Sequence, residues 1–121
     1  MAYSFPNSDA ALGWTPFSNT NVNTTGQVIK AGPGQVGPYF ISNVDSAAVY
    51  VKLYNKATAP TSSDTPVYTI PLLANTAANL PPSIAGLNFD TGISIRASSG
   101  LAANNTGAPT ANTCIVNLGY R

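Results

Sequence analysis

Hydrophobic and polar residues alternate most clearly between residues 47 and 72, in two runs separated by a loop. In the first run, one set of side chains is Val49, Val51 and Leu53, and the intervening set is Tyr50, Lys52 and Tyr54. A period of two places successive side chains on opposite faces of a strand, and branched and aromatic residues are favoured there. The run therefore predicts a β-strand.

The second run follows a loop at residues 57–65, which is rich in the proline, serine and aspartate typical of turns. Its alternation places Tyr68, Ile70 and Leu72 on one face, opposite to Val67, Thr69 and Pro71. Proline has no N–H to donate to a neighbouring strand. We therefore expect this strand to lie at a sheet edge or to end at Pro71.

Shorter alternating runs predict further strands at residues 27–31, 38–43, 92–98 and 113–121. The turn at residues 44–46 predicts a hairpin that joins the strand at 38–43 to the strand beginning at 47. Residues 74–85 are interpreted as loop with one short strand at most, and residues 100–112 as a long polar loop. No window has the apolar spacing of a helix, and 10 glycines and 10 prolines are spread along the chain.

About six or seven short strands of this kind predict an all-β fold, an antiparallel β-sandwich. A jelly-roll-like sandwich is the first choice and an immunoglobulin-like one the alternative. Residues 27–121 would form a single domain, with a core that includes Val51, Leu53, Ile95, Val116 and Leu118.

Residues 1–26 are rich in Asn, Ser and Thr and lack a sustained strand period, yet they contain four aromatic residues. These rings could pack on the core of the domain, since an aromatic side chain buries a large area. Alternatively, they could belong to an arm that docks on a partner. We assign residues 1–26 as an extended N-terminal arm, with candidate partner-binding residues Tyr3, Phe5, Trp14 and Phe17.

The charge content is unusually low and narrows the function classes. Charged residues make up 7% of the chain, and the net charge is +1, against about 25% charged residues in typical soluble domains. Nucleic acid and anionic membranes need clusters of cations that this sequence lacks, so neither is an expected partner. Copies that hardly repel one another associate easily, which suits a subunit of an assembly. There is also no secretory signal pattern, so we expect synthesis in the cytoplasm.

Candidate catalytic and metal-binding chemistry is scarce. The chain has no histidine and no glutamate, which removes the commonest general bases and most metal ligands. Cys114 lies at an apolar strand position and is expected to be a small buried hydrophobe. Asp45, Asp64 and Asp90 lie in predicted turns, where aspartate usually accepts hydrogen bonds from its own backbone; calcium is the alternative. We predict a non-enzymatic protein with no cofactor and no metal.

Three tyrosines form a possible aromatic face for a sugar or peptide. Tyr50 and Tyr54 share one face of a strand, and Tyr68 is placed across from them. The plainer interpretation is a set of half-buried tyrosines that cover a sheet. Lys52, on the same face, indicates that this face is not the core.

Three segments of the chain are VYVKLYNKATAPT, DTPVYTIP and, at its end, IVNLGYR. They resemble a group of small structural proteins of tailed phages, in particular the head decoration, or cement, proteins, and the resemblance extends from about Phe40 to Arg121. With the expected cytoplasmic synthesis, it places synthesis in the cytoplasm of a host. It implies a virion protein on the capsid surface, whose partners are the major capsid protein and other copies of itself. It also implies a homotrimer, the form in which such proteins often occupy capsid threefold positions.

Together, these observations predict a non-enzymatic structural protein of a phage virion, specifically a decoration protein that binds the outer capsid surface and stabilises the shell. Two rivals remain open: a carbohydrate-binding or adhesion module that uses the tyrosine face, and a tail or baseplate structural subunit.

Overall fold

A computed structural model describes residues 13–80 and 86–121 of the protein. The described residues form nine strands, which are β1 Thr15–Asn19, β2 Gln27–Lys30, β3 Gly34–Asn43, β4 Val49–Tyr54, β5 Tyr68–Leu72, β6 Thr76–Leu80, β7 Leu87–Phe89, β8 Ile93–Ser98 and β9 Cys114–Tyr120. The prediction of an all-β fold is confirmed, because these residues contain strands and no helix. Accordingly, the described ranges include no helix with the length and apolar character to cross a membrane.

The strands form two antiparallel sheets that pack against each other. The first sheet has the order β1-β9-β3-β6, with β7 also paired to β3, and the second has the order β2-β8-β4-β5. Apart from the short β7, the strands pair in a nested series, first with last and inward to the β4–β5 pair. This arrangement is the jelly roll. In the immunoglobulin-like alternative, several pairs of consecutive strands share a sheet, whereas here β1, β2, β3 and β4 alternate between sheets.

The predicted hairpin between residues 38–43 and the following strand is wrong. Strand β3 belongs to the first sheet and β4 to the second, so residues 44–48 cross from one sheet to the other. The side chain of Asn43 supports this corner by donating to the carbonyls of Ala47, Leu72 and Leu73. A turn inside a hairpin and a crossing between two sheets use the same kinds of turn residue, and only the packing of the sheets distinguishes them. In contrast, Pro71 lies where expected, on β5 at an edge of the second sheet.

The core lies between the sheets and contains the predicted residues. Val51, Leu53, Ile95 and Val116 are fully buried, and Leu118 nearly so. Cys114 is also part of this cluster, as its apolar position indicated. Burial raises the pKa of its thiol to about 11, because the thiolate would lose its hydration. The thiol is therefore a structural group that stays protonated at neutral pH.

The N-terminal boundary at residue 26 does not match the described structure. Residues 15–19 form β1, an edge strand that pairs with β9 along its full length. Val22 is a member of the core cluster, and Phe17 packs against it. The polar sequence conceals this strand because an edge strand has a single buried face and needs few apolar residues. Residues 1–12, the remainder of the predicted arm, lie outside the described residues.

Candidate partner-binding surface

In the described part of the chain, the strands of the first sheet have no charged side chain on their outer face. Its outward side chains follow from the register, because Phe17, Ile41, Val116 and Leu118 point into the core and their neighbours point away. The outward residues are Pro16, Ser18, Phe40, Ser42, Ala77, Asn79, Ile115 and Asn117. We call this set the uncharged face. Arg121 borders it at the end where Trp14 lies.

Phe40 is the central apolar side chain of the uncharged face. Phe40 is 54% exposed, and its strand neighbours are Asn117 on β9 and Asn79 on β6. Beyond Asn117, Ser18 donates a 2.8 Å hydrogen bond to the Asn117 side-chain oxygen. An exposed aromatic ring among short, uncharged side chains can be desolvated without the loss of a hydrated charge. The sequence feature that could have identified Phe40 is the alternation at residues 38–43, in which Phe40 and Ser42 share the face opposite to Tyr39 and Ile41.

Trp14 is not available as an exposed partner contact. It is 7% exposed, and it lies against Gly37 and Gly119, where an added Cβ would come within 2.5 Å and 2.8 Å of the Trp14 side chain. The Arg121 guanidinium covers the ring at 4.0 Å from its centre. The two glycines make room for an indole that the strand pattern alone did not predict. Of the other predicted arm contacts, Phe17 packs on the core, and Tyr3 and Phe5 lie outside the described residues.

The three tyrosines do not form one aromatic face. Tyr68 is the register partner of Leu53 and points to the core side of the second sheet, where its ring contacts Phe89 edge-on at 5.7 Å. Tyr50 and Tyr54 point to the opposite side, and Tyr54 is buried. The predicted platform for a sugar therefore has no exposed pair of stacked rings. The Tyr54 side chain lies beside Arg96, whose guanidinium donates to the Tyr54 hydroxyl at 3.5 Å, and the local sequence does not reveal this neighbour.

A long loop, residues 99–113, lies over the outer face of the second sheet at β4 and β8, and we call it the covering loop. Every residue of β8 is buried, including Ser94, Arg96 and Ser98, which the alternation predicted to point outward. Their side chains do point away from the core. Arg96 and Ser98 donate hydrogen bonds to loop carbonyls, and the Ser94 hydroxyl donates to the Tyr54 carbonyl on β4. Both faces of β8 are therefore enclosed.

The aspartates are held in separate turns. Asp45 accepts from the backbone N–H groups of Ala47 and Thr110, and Asp64 accepts from Thr61 and from the Lys56 ammonium at 2.8 Å. Asp90 instead accepts from the Asn55 side chain. In the described ranges, no group of three or more His, Cys, Asp or Glu residues is close enough to hold a metal ion.

Comparison of the chain with protein-family models, with curated protein sequences and with solved structures finds no match in any of the three.

Proposed function

We propose that this protein is a non-enzymatic structural subunit of a phage virion, specifically a decoration protein that binds the outer surface of the capsid. The uncharged face is the observation that carries the proposal. The jelly-roll fold adds an analogy, because this fold occurs in viral capsid proteins as well as in lectins. The strand sequences that resemble tailed-phage decoration proteins point the same way.

The chemistry of the uncharged face suits a protein partner. Charged residues are depleted at the centres of protein interfaces, and aromatic residues are enriched there. The uncharged face has this composition, with Phe40 exposed at its centre. We propose the shell-forming capsid protein as its occupant and Phe40 as the anchoring side chain.

Binding of this kind would stabilise the shell by mass action. A protein that binds the assembled shell, and not its free subunits, lowers the free energy of the assembled state. Modest interfaces suffice when a shell presents many copies of the site, particularly if the bound protein is itself oligomeric. A closed homotrimer would supply this multivalency, and a net charge of +1 would not oppose its formation. Sedimentation or light scattering of the purified protein tests the trimer, and a monomer both free and on the particle would refute it.

The test of the uncharged face compares two charge insertions at exposed apolar positions. Phe40→Asp places a charge at the centre of the face, whereas Leu101→Asp places one in the loop on the opposite side, where Leu101 is 63% exposed. Both variants should fold, because both side chains are largely in solvent. We expect Phe40→Asp to weaken co-sedimentation with undecorated shells by about 30-fold or more, the effect of losing an interface hot spot, and Leu101→Asp to bind normally. Normal binding by Phe40→Asp would show that the uncharged face is not the surface that binds the shell.

Electron microscopy of the intact particle tests the assignment to the head. Density for this chain on the outer capsid surface would support the proposal, whereas density in the tail or baseplate would replace it with that rival.

Residues 1–12 keep their proposed role as a docking arm through Tyr3 and Phe5. Deletion of residues 1–12 should leave the unfolding free energy unchanged and weaken shell binding. Deletion of residues 1–26 should also destabilise the fold, because it removes β1, Trp14 and Val22. Unchanged shell binding after the shorter deletion would remove the arm from the proposal.

A further inference from the structure

Two buried cations lie side by side on the outer face of the second sheet. Lys52 on β4 and Arg96 on β8 are directly opposite register partners, and they are 0% and 1% exposed. Burial of a charge is costly unless an opposite charge or several hydrogen bonds compensate it. Within the described residues, the ion pair is Lys56 with Asp64, which does not involve either cation. The two buried cations therefore have hydrogen bonds but no counter-charge in this part of the chain.

Lys52 has used all of its hydrogen-bonding capacity. Its ammonium donates to the Ser98 hydroxyl at 2.7 Å and to the carbonyls of Gly100 and Ala102 at 3.1 and 2.6 Å. An ammonium has three N–H donors, and each has a partner here. Burial, and then the nearby Arg96, lowers the pKa of Lys52. Lys52 therefore holds the covering loop against β4 through these hydrogen bonds and adds positive potential beside Arg96. It has no N–H left to donate to a ligand.

Arg96 retains donors that have no partner among the described residues. Its Nε donates to the Thr24 carbonyl at 3.1 Å, one terminal nitrogen to the Tyr54 hydroxyl at 3.5 Å, and the other to the Asn105 carbonyl. A guanidinium has five N–H groups in a planar fork. One N–H on each terminal nitrogen thus remains without a hydrogen-bond acceptor in this part of the structure. A bidentate ligand that contacts both terminal nitrogens would use one N–H of each.

Arg96 also lines an open cleft of about 430 Å³ between the loops. The remaining walls are uncharged and include the hydroxyl-bearing residues Thr24, Thr25, Ser62 and Thr106. The loops meet closely because Gly26 has no side chain, since a Cβ there would lie 2.1 Å from the Pro60 carbonyl oxygen. The cleft thus combines a buried cation with hydroxyl donors and lacks an acidic wall, and such a site concentrates positive potential. We call it the Arg96 cleft.

We propose that the Arg96 cleft binds the carboxylate of an acidic side chain from a partner polypeptide. A carboxylate matches the two free N–H groups of a guanidinium in a planar bidentate pair, and its single charge needs less compensation than a phosphate dianion. The cleft is shallow and offers one cationic group, which is too little to retain a small free acid. As one contact within a larger interface, the same pair fixes the orientation of the partner. The inference is independent of the proposed virion function.

Nuclear magnetic resonance titration of the full chain tests the site with four probes: a capped tetraglutamate peptide, its tetraglutamine counterpart, acetate and inorganic phosphate. We expect tetraglutamate to shift the Arg96 Nε–H signal and the amide signals of Thr24 and Thr25, and tetraglutamine to leave them unchanged. Acetate should shift the same signals only at much higher concentration. The absence of shifts with tetraglutamate, or equal shifts with tetraglutamine, would overturn the proposal. Tighter binding of phosphate would overturn the assignment to carboxylate, and acetate as tight as tetraglutamate would overturn the polypeptide source.

A variant that supplies the carboxylate internally provides the second test. Thr106 is exposed and lines the cleft, so Thr106→Glu can occupy the site without disturbing the core. We expect the apparent affinity for tetraglutamate to fall about tenfold or more, as loss of a hydrogen bond to a charged group implies. The matched control is Asn104→Glu, an exposed change in the same loop that does not line the cleft. Equal losses in both variants would indicate general repulsion and would overturn the site.

Discussion

The guanidinium carbon of Arg121 lies over the Trp14 ring, 4.0 Å from the ring centre. The strand that leads to Arg121 is held against β3, because Arg121 and Gln35 exchange backbone hydrogen bonds at 2.6 and 2.9 Å. The Arg121 Nε also donates to the Gln35 side-chain oxygen at 3.1 Å. These backbone and side-chain hydrogen bonds hold Arg121 in position over the ring. The cation–π contact therefore covers the buried indole at one end of the first sheet.

The fluorescence of Trp14 should report this contact. Trp14 is the only tryptophan, and its burial predicts a blue-shifted emission in the free protein. Arg121→Ala should shift the emission to the red and lower the unfolding free energy by about 0.5–2 kcal/mol, the range of cation–π contacts. The emission and stability of Arg121→Lys, which keeps a cation, should lie between those of the unmodified protein and those of Arg121→Ala. A fully red-shifted spectrum of the unmodified protein would contradict the burial of Trp14.

The packing around Trp14 should be sensitive to the addition of a single methyl group at a neighbouring glycine. A Cβ at Gly37 would lie 2.5 Å from Trp14 Cε2, whereas Gly32 has no atom within 4 Å of such a position. Gly37→Ala should therefore displace the indole and cost about 1–3 kcal/mol of stability, as overpacking does. Gly32→Ala is the matched control and should leave emission and stability nearly unchanged. Denaturant unfolding measures both, and equal stabilities of the two variants would be inconsistent with this packing.

The assignment of strand faces in the second sheet can be checked with two leucines. Leu53 is fully buried and Leu101 is largely exposed. Leu53→Ala should cost about 2–5 kcal/mol, the usual range for a buried leucine. Leu101→Ala should cost about 0.5 kcal/mol or less, as a surface change does. A loss below about 0.5 kcal/mol for Leu53→Ala would mean that the strand faces are reversed.

The acid stability of the fold should depend on Asp45. Hydrogen bonds from the side chain and backbone of Thr110, with a further one from the Ala47 backbone, lower the pKa of Asp45 below 3.8. At pH values between this lowered pKa and 3.8, the folded state binds fewer protons than the unfolded state. The stability that Asp45 contributes is therefore present above pH 3.8 and is lost as the pH falls through the lowered pKa.

Asp45→Asn should therefore lose less stability than the unmodified protein as the pH falls from about 5 through the lowered pKa of Asp45. Asp64, whose pKa is lowered first by Lys56 and then by Thr61, should behave similarly, and the double variant should have the flattest acid profile. Thermal unfolding across this pH range measures the effect. Parallel profiles for Asp45→Asn and the unmodified protein would show that these hydrogen bonds are absent in solution.

The central strands and their faces could be predicted from the sequence because the strand period is a local property. The alternation at residues 49–53 and 93–97 identified the core residues of β4 and β8, including Leu53 and Ile95. Pro71 identified the edge strand β5, because a missing N–H restricts where a strand can lie. In β3 the same period separates Phe40 and Ser42 from Tyr39 and Ile41, but the packing of the sheets decides which pair faces the core.

Other features depended on segments far apart in the sequence. The polar strand β1 is a strand because β9, about a hundred residues later, offers it an edge. Trp14 is buried because Gly37, Gly119 and Arg121 converge on it. Lys52 and Arg96 are buried because the loop after β8 returns over them with its carbonyl groups. A period of two specifies which face a residue occupies, but only the tertiary structure decides whether that face meets solvent, a loop or the core.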